Sequence, residues 1–186
     1  MRKLPDVPFT PEANDLVTRI KQNIKSRLAD ASRVPVSVLL WGPGLKSTSP
    51  LAKVRLSLRS ELRRVGHAAL FSEELCDPRS KSSTRLQQLA QAQEADVVVS
   101  IPCTPGAIGE IHDFVVDRRV RAHTLVFMNE EHSDGYCLQS LDAISNVVSF
   151  RLEYYPNELE TGIIRDVTLQ EVQKIRDMKY ILAERY

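Results

Sequence analysis

The chain has 186 residues, with 25 Lys and Arg against 24 Asp and Glu and a net charge of +1. That length holds one domain with a full core. A composition of 42% hydrophobic and 26% charged residues describes a folded globular chain rather than a disordered one. The near-zero charge argues against a dedicated nucleic-acid or membrane-surface binder, because those partners select a strong basic excess. No apolar run reaches bilayer-spanning length.

The opening Met1-Arg2-Lys3-Leu4-Pro5-Asp6 lacks the apolar core of a signal peptide. Cys76, Cys103 and Cys137 are spaced too widely for a disulfide framework or a CxxC metal pair, so a cytoplasmic location with free thiols is expected. In chain order, Thr10-Pro11-Glu12 is a helix start, with a hydroxyl cap, Pro at the first helical position and an acid in the first turn. Ala13, Leu16, Val17, Ile20, Ile24 and Leu28 then line one helical face. Residues 36–41 form a short apolar strand that breaks at Gly42-Pro43-Gly44. Ser49-Pro50 opens a second helix with Leu51, Val54, Leu58, Leu62 and Val65 inward, Arg55 and the other cations elsewhere, and Gly66 as its end.

A strand is expected over 68–71, a polar loop over 77–83, and a helix over 84–94. Asp96 to Ile101, with three consecutive valines, reads as a strand buried on both faces. A turn at Pro102–Gly106 leads to a helix from about Ala107 to Val120. Further strands are expected at 124–128 and 146–150. Thr168-Leu169-Gln170-Glu171 reads as a capping box starting a last helix. Five apolar strands separated by helices indicate a doubly wound parallel α/β sheet. The expected organisation is a single domain over 1–186: a helical extension at 1–33, an α/β core at 34–150, and a C-terminal loop and helix at 151–186.

Ligands in such sheets bind beyond the carboxyl ends of the strands, so the residues just after each strand carry the functional information. Gly42, Pro43, Gly44, Lys46 and Ser47 follow the first strand. Their spacing fits neither a phosphate loop nor a dinucleotide GxGxxG. What remains is either an anion site at a helix N-terminus or an ordinary tight turn. Pro102 to Glu110 follow the valine strand. Gly106 and Gly109 permit close approach, and Glu110, Asp113 and Asp117 follow at helical spacings; a first-turn acid would also complement the helix dipole. His67, His112, His123 and His132 show no metal spacing, and neither a metal nor a cofactor is expected. Cys103 lies at the same turn without an identifiable partner His. Tyr154, after the last strand, is either a base-stacking aromatic or a packing residue.

Leu39-Leu40-Trp41-Gly42-Pro43, and then Glu94-Ala95-Asp96-Val97-Val98-Val99 leading to Gly106-Ala107-Ile108-Gly109-Glu110, resemble two signatures of the nucleoside 2-deoxyribosyltransferases and their nucleotide N-glycosidase relatives. The resemblance covers about residues 36–130. It implies a flavodoxin-like, Rossmannoid five-stranded sheet flanked by helices. It also implies Glu110 as a nucleophile at the sugar C1′, a nucleoside or nucleotide as the small-molecule partner, and a homo-oligomer. Gly42, Ser47, Thr104 and the amides near Gly106 would hold the ribose or phosphate. Two positions depart from the family: Ala107 stands where it has Thr, and Thr104 where it often has an acid. Leaving-group protonation would then fall to Glu73, Asp113 or water. The alternative function is a nucleotide-signal sensor or partner module of a bacterial immunity system that binds without turnover.

Overall fold

Thr10 and Ser49 each place a hydroxyl directly before a proline, and each starts a helix. Thr10 Oγ1 accepts the Ala13 N–H at the head of α1 (Pro11–Ala31), and Ser49 Oγ accepts the Leu51 N–H at the head of α2 (Pro50–Arg64). Between them lies β1 (Ser37–Trp41), and the chain continues through β2 (Ala68–Phe71), the single turn α3 (Ser72–Leu75), α4 (Thr84–Glu94) and β3 (Val97–Ser100). Then come α5 (Pro105–Val115), the turn α6 (Arg118–Arg121), β4 (Thr124–Asn129), α7 (Tyr136–Ser145), β5 (Arg151–Tyr155) and α8 (Ile163–Ala183). The computed structural model describes residues 8–132, 134–156 and 162–183. The side chains of Pro105, His132 and Cys137 lie outside the description.

All five strands are parallel, in the order β2-β1-β3-β4-β5. This is the doubly wound, flavodoxin-like arrangement. β1, β3 and β4 read as continuous apolar runs because helices cover both of their faces. On one face Val38, Leu40, Val99 and Phe127 pack against Leu58 and Leu62 of α2 and Ile164 and Val172 of α8. On the other, Leu39 and Val98 meet Ala92 of α4 and Phe114 of α5, while Val126 and Met128 meet Ile111 and Val115 of α5 and Leu138 and Leu141 of α7.

At the amino ends of the strands, Asp96 accepts hydrogen bonds from the Ser37 N–H (2.7 Å), the Ser37 hydroxyl (2.8 Å) and Lys179 (2.6 Å), tying β1, β3 and α8 together. His67 is buried and its Nδ1 accepts the Val36 N–H. Burial, with Arg176 nearby, pushes its pKa down and keeps that nitrogen available as an acceptor.

Several boundaries differ from expectation. The last strand is Arg151–Tyr155, not 146–150, so the sheet extends past residue 150. β5 is an edge strand whose Arg151 and Glu153 pair with each other at 2.5 Å, so its sequence lacks the apolar run of an inner strand. Val147, read as strand, is exposed in the preceding turn. α7 was not expected, although Leu138, Leu141 and Ile144 carry its spacing. The helix expected over 107–120 breaks in two, because Asp117 caps α6 by accepting the Arg119 N–H. Thr168 does not cap α8. It lies inside that helix, fully buried, and donates to the Ile164 carbonyl, while Glu171 pairs with Arg151 and Lys174. α8 therefore belongs to the core rather than to an appendage, whereas α1 buries no residue. Among the described residues, no helix is long and apolar enough to cross a membrane.

Leu40 is fully buried between α2 and α8. Leu40→Ala is expected to lower stability by about 2–5 kcal/mol, whereas Val147→Ala should change it by less than about 0.5 kcal/mol. Urea unfolding of both variants checks the pair.

Candidate functional site

The strand order reverses between β1 and β3, and a cleft of about 140 Å³ opens there, beyond the carboxyl ends of these strands. β1 contributes Trp41 and the following Gly42. β3 contributes Ser100, with Pro102 just after it. Ser72 and Glu73 come from the turn after β2, Arg55 from α2, Gln88 from α4, and Ala107, Glu110, Ile111 and Phe114 from α5. The Trp41 and Phe114 rings lie 4.7 Å apart and form an aromatic wall. Trp41 Nε1 is buried without a hydrogen-bond partner among the described residues.

Arg55 organises one side of this cleft. Its side chain is only 1% exposed. Nη1 donates to Glu73 Oε1 (2.8 Å) and to the Pro43 carbonyl (2.8 Å), and Nη2 donates to Glu73 Oε2 (2.6 Å) and to the Leu40 carbonyl (2.6 Å). The guanidinium also lies over the Phe71 ring at 4.4 Å. This bidentate fork holds the Glu73 carboxylate in one orientation. Partial burial raises the Glu73 pKa. Hydrogen bonds from Arg55 and the backbone, with the Arg55 charge, outweigh this and hold the carboxyl below the ordinary glutamate range. Arg59 and Glu74 make a second, more exposed pair next door at 2.7 Å, with Arg59 over the same Phe71 ring.

Gly42 is required by this geometry. Its φ is +155°, and a Cβ there would meet the Ile101 carbonyl at 3.1 Å and Arg55 Cδ at 3.3 Å. No other glycine of the candidate segments is so constrained. A Cβ at Gly44 or Gly109 would meet nothing within 4 Å, and one at Gly106 would meet only Thr104 Oγ1 at 3.9 Å.

The fold brings together Glu110, Glu73 and Gly42 among the residues singled out from sequence. Asp113 is not on the cleft lining; it pairs with Arg85 at 3.1 Å. Asp117 caps α6, and its hydrogen bonds from Arg119 and Gln93 bring its carboxyl down to about 2. Pro43 contributes its carbonyl to Arg55 rather than a lining surface. Gly44 and Ser47 form a turn in which the Ser47 N–H reaches the Gly44 carbonyl and Ser47 Oγ accepts the Ser49 N–H. Thr104 caps α5 through the Ala107 N–H, ahead of Gly106. Cys103 is exposed and absent from the lining. Tyr154 is partly buried against the α5 and α7 cluster.

Sequence reasoning missed Arg55, which it had placed away from the buried face. The signal was present: position 55 is four residues from Leu51 and three from Leu58, both on that face. Among the described residues, no group of three or more His, Cys, Asp or Glu is placed to hold a metal ion.

Fold and cleft together define a doubly wound α/β protein with an open cleft at its topological switch point. No family model matches the chain, and no curated protein matches it. Among solved structures, the crystal structure of a conserved protein from Enterococcus faecalis V583 is similar over 75% of this chain and 98% of that chain, at 15% identity and a TM-score of 0.38. A likeness at that level bears on neither ligand nor chemistry.

Gly42→Ala is expected to cost about 1–3 kcal/mol, and Gly44→Ala less than about 0.5 kcal/mol, in denaturant titrations. The depressed Glu73 pKa sets a sign for pH. The stabilisation from ionised Glu73 is complete above the unfolded-state value, about 4.3, and disappears as pH falls through the lower folded-state value. Glu73→Gln should therefore melt below wild type at pH 7, and the gap should close under acid. Thermal melts from pH 7 to pH 3 measure it.

Proposed function

We propose that the cleft cleaves the N-glycosidic bond of a nucleoside or nucleotide, with Glu110 as the nucleophile. The observation that supports this reading best is the convergence of Glu110 and an Arg55-held Glu73 on one cleft beside an aromatic wall. A carboxylate suits the chemistry because the transition state at C1′ carries oxocarbenium character. One Glu110 oxygen attacks C1′, the C1′–N bond breaks, and its electron pair leaves with the base. Water then attacks C1′ of the glycosyl ester, loses a proton to solvent and returns the carboxylate.

Glu73 has a distinct role. Held ionised by Arg55, it is a poor proton donor and a good acceptor for ribose hydroxyls. Asp113 is engaged by Arg85. As proton source for the leaving base, water in the open mouth fits better than Glu73 or Asp113. Arg55 and Glu73 cancel in charge, so Glu110 leaves the lining net negative. That balance, without a placed general acid, favours glycosides whose base is already cationic, such as a pyridinium. Such a base departs neutral and needs no proton.

The test is incubation of pure protein with nucleosides, nucleotides and nicotinamide glycosides, followed by chromatography of released base. Release is expected, fastest for the cationic glycosides, and Glu110→Gln should lower it by at least about 100-fold, the scale of losing a positioned catalytic group. Absence of release, or release unaffected by Glu110→Gln, overturns the reading. Calorimetric binding without release would favour the sensor role instead.

A further inference from the structure

A cavity of about 290 Å³, larger than the cleft, opens at the opposite end of the sheet, where β3, β4 and β5 begin. That volume is near the lower end of the ~300–1,000 Å³ usual for small-molecule pockets. Its polar lining is bonded on one side only. Asp96 accepts the Ser37 N–H, the Ser37 hydroxyl and Lys179, all on Oδ2. Partial burial raises the Asp96 pKa, but these bonds outweigh it and hold the carboxyl below the ordinary aspartate range, as an anion. Glu171 accepts Arg151 Nη1 (3.0 Å) and Lys174 (3.2 Å), both on Oε2. Asp96 Oδ1 and Glu171 Oε1 accept no hydrogen bond among the described residues. His123 Nε2 lies 2.9 Å from the Ala92 carbonyl. A carbonyl can only accept, so Nε2 carries the proton and Nδ1 of the neutral ring is an acceptor. Arg151 uses Nε on Glu153 and Nη1 on Glu171, which leaves Nη2 as a donor.

We propose that this cavity binds an aliphatic α-amino acid. A primary ammonium carries three donors and no acceptor, and Asp96 Oδ1, Glu171 Oε1 and His123 Nδ1 are unfilled acceptors on the lining. A carboxylate only accepts, and Arg151 Nη2 is an unfilled guanidinium donor on the same lining. The acids Asp96, Glu153 and Glu171 are matched by Lys179, Arg151 and Lys174. A ligand that carries both signs therefore leaves no uncompensated charge behind when it is taken out of water. A lone anion would meet two carboxylates, and a lone cation would leave the Arg151 donor unfilled. The rest of the lining includes Val97, Leu125, Phe150 and Ile175, which suit a side chain without polar atoms. The cleft lies at the carboxyl ends of the strands, and this proposal does not depend on its chemistry.

Titration calorimetry of the full chain with L-leucine, L-isoleucine and L-valine tests the site. At least one is expected to bind with a Kd below about 10 mM. Its analogues without the carboxylate or without the ammonium (isopentylamine and 4-methylpentanoate for leucine) should each bind at least about 10-fold more weakly, the scale of one hydrogen bond to a charged group. Glu171→Gln should weaken binding by about the same factor. Ser149 lines the cavity, is exposed and lies outside helix and strand, so Ser149→Trp should block the site and leave circular dichroism unchanged. If Glu171→Gln fails to fold, Ser149→Trp decides. Binding of none of the three, binding that survives Ser149→Trp, or an analogue that binds as tightly as its amino acid overturns the proposal. None of these outcomes bears on base release in the cleft.

Discussion

A buried arginine has five donors to satisfy, and the upper end of this sheet is built around four of them, with Arg55 Nε buried and unpartnered among the described residues. Arg55 takes the Leu40 carbonyl at the end of β1, the Pro43 carbonyl in the loop beyond, and both oxygens of Glu73 after β2. A charge removed from water needs a charged partner and filled hydrogen bonds, so the three segments are held to one geometry. Gly42 follows from this, because the backbone passes close to the arginine stem. The orientation of Glu73 follows as well. One ion pair thereby sets the wall of the cleft that faces α5.

The two carboxylates of the cleft are supported differently, and that separates their chemistry. Glu73 is fixed and held anionic by its neighbour. Glu110 stands on the first turns of α5, exposed at the mouth and lining the same cavity. The proposed glycoside chemistry rests on this difference, with Glu73 as a fixed acceptor and Glu110 as the attacking carboxylate. The sheet supplies the placement: β1 and β3 are adjacent, yet their following helices leave toward opposite faces, and the crevice lies where they part.

Open space lies at both ends of the sheet. At the carboxyl ends of the strands the cleft is lined by apolar residues such as Trp41, Ile111 and Phe114 as well as by the Arg55–Glu73 pair and Glu110. At the amino ends, Asp96 ties Ser37 to Lys179 of α8, and a cavity of about 290 Å³ opens beside it, lined by His123, Arg151 and Glu171 among others. α1, which leads into β1, carries an apolar row that none of the described residues buries.

Much of the fold was legible because local chemistry spelled it out. Thr10-Pro11 and Ser49-Pro50 start helices by capping, and the β-branched run Val97 to Val99 reads as a strand covered on both faces, which it is. The glutamate after the third strand was also legible, because strand ends in a doubly wound sheet mark the ligand edge. Tertiary structure decided what depends on partners distant in the chain. β5 is a strand because β4 pairs with it, not because of its own polar pattern. Thr168 is a core residue because α2 and the sheet enclose α8. Arg55 is a buried organiser rather than a surface cation because Glu73, eighteen residues away, arrives to neutralise it. Local propensity is written in adjacent residues, whereas the burial of a charge is settled only by the groups that fold brings to it.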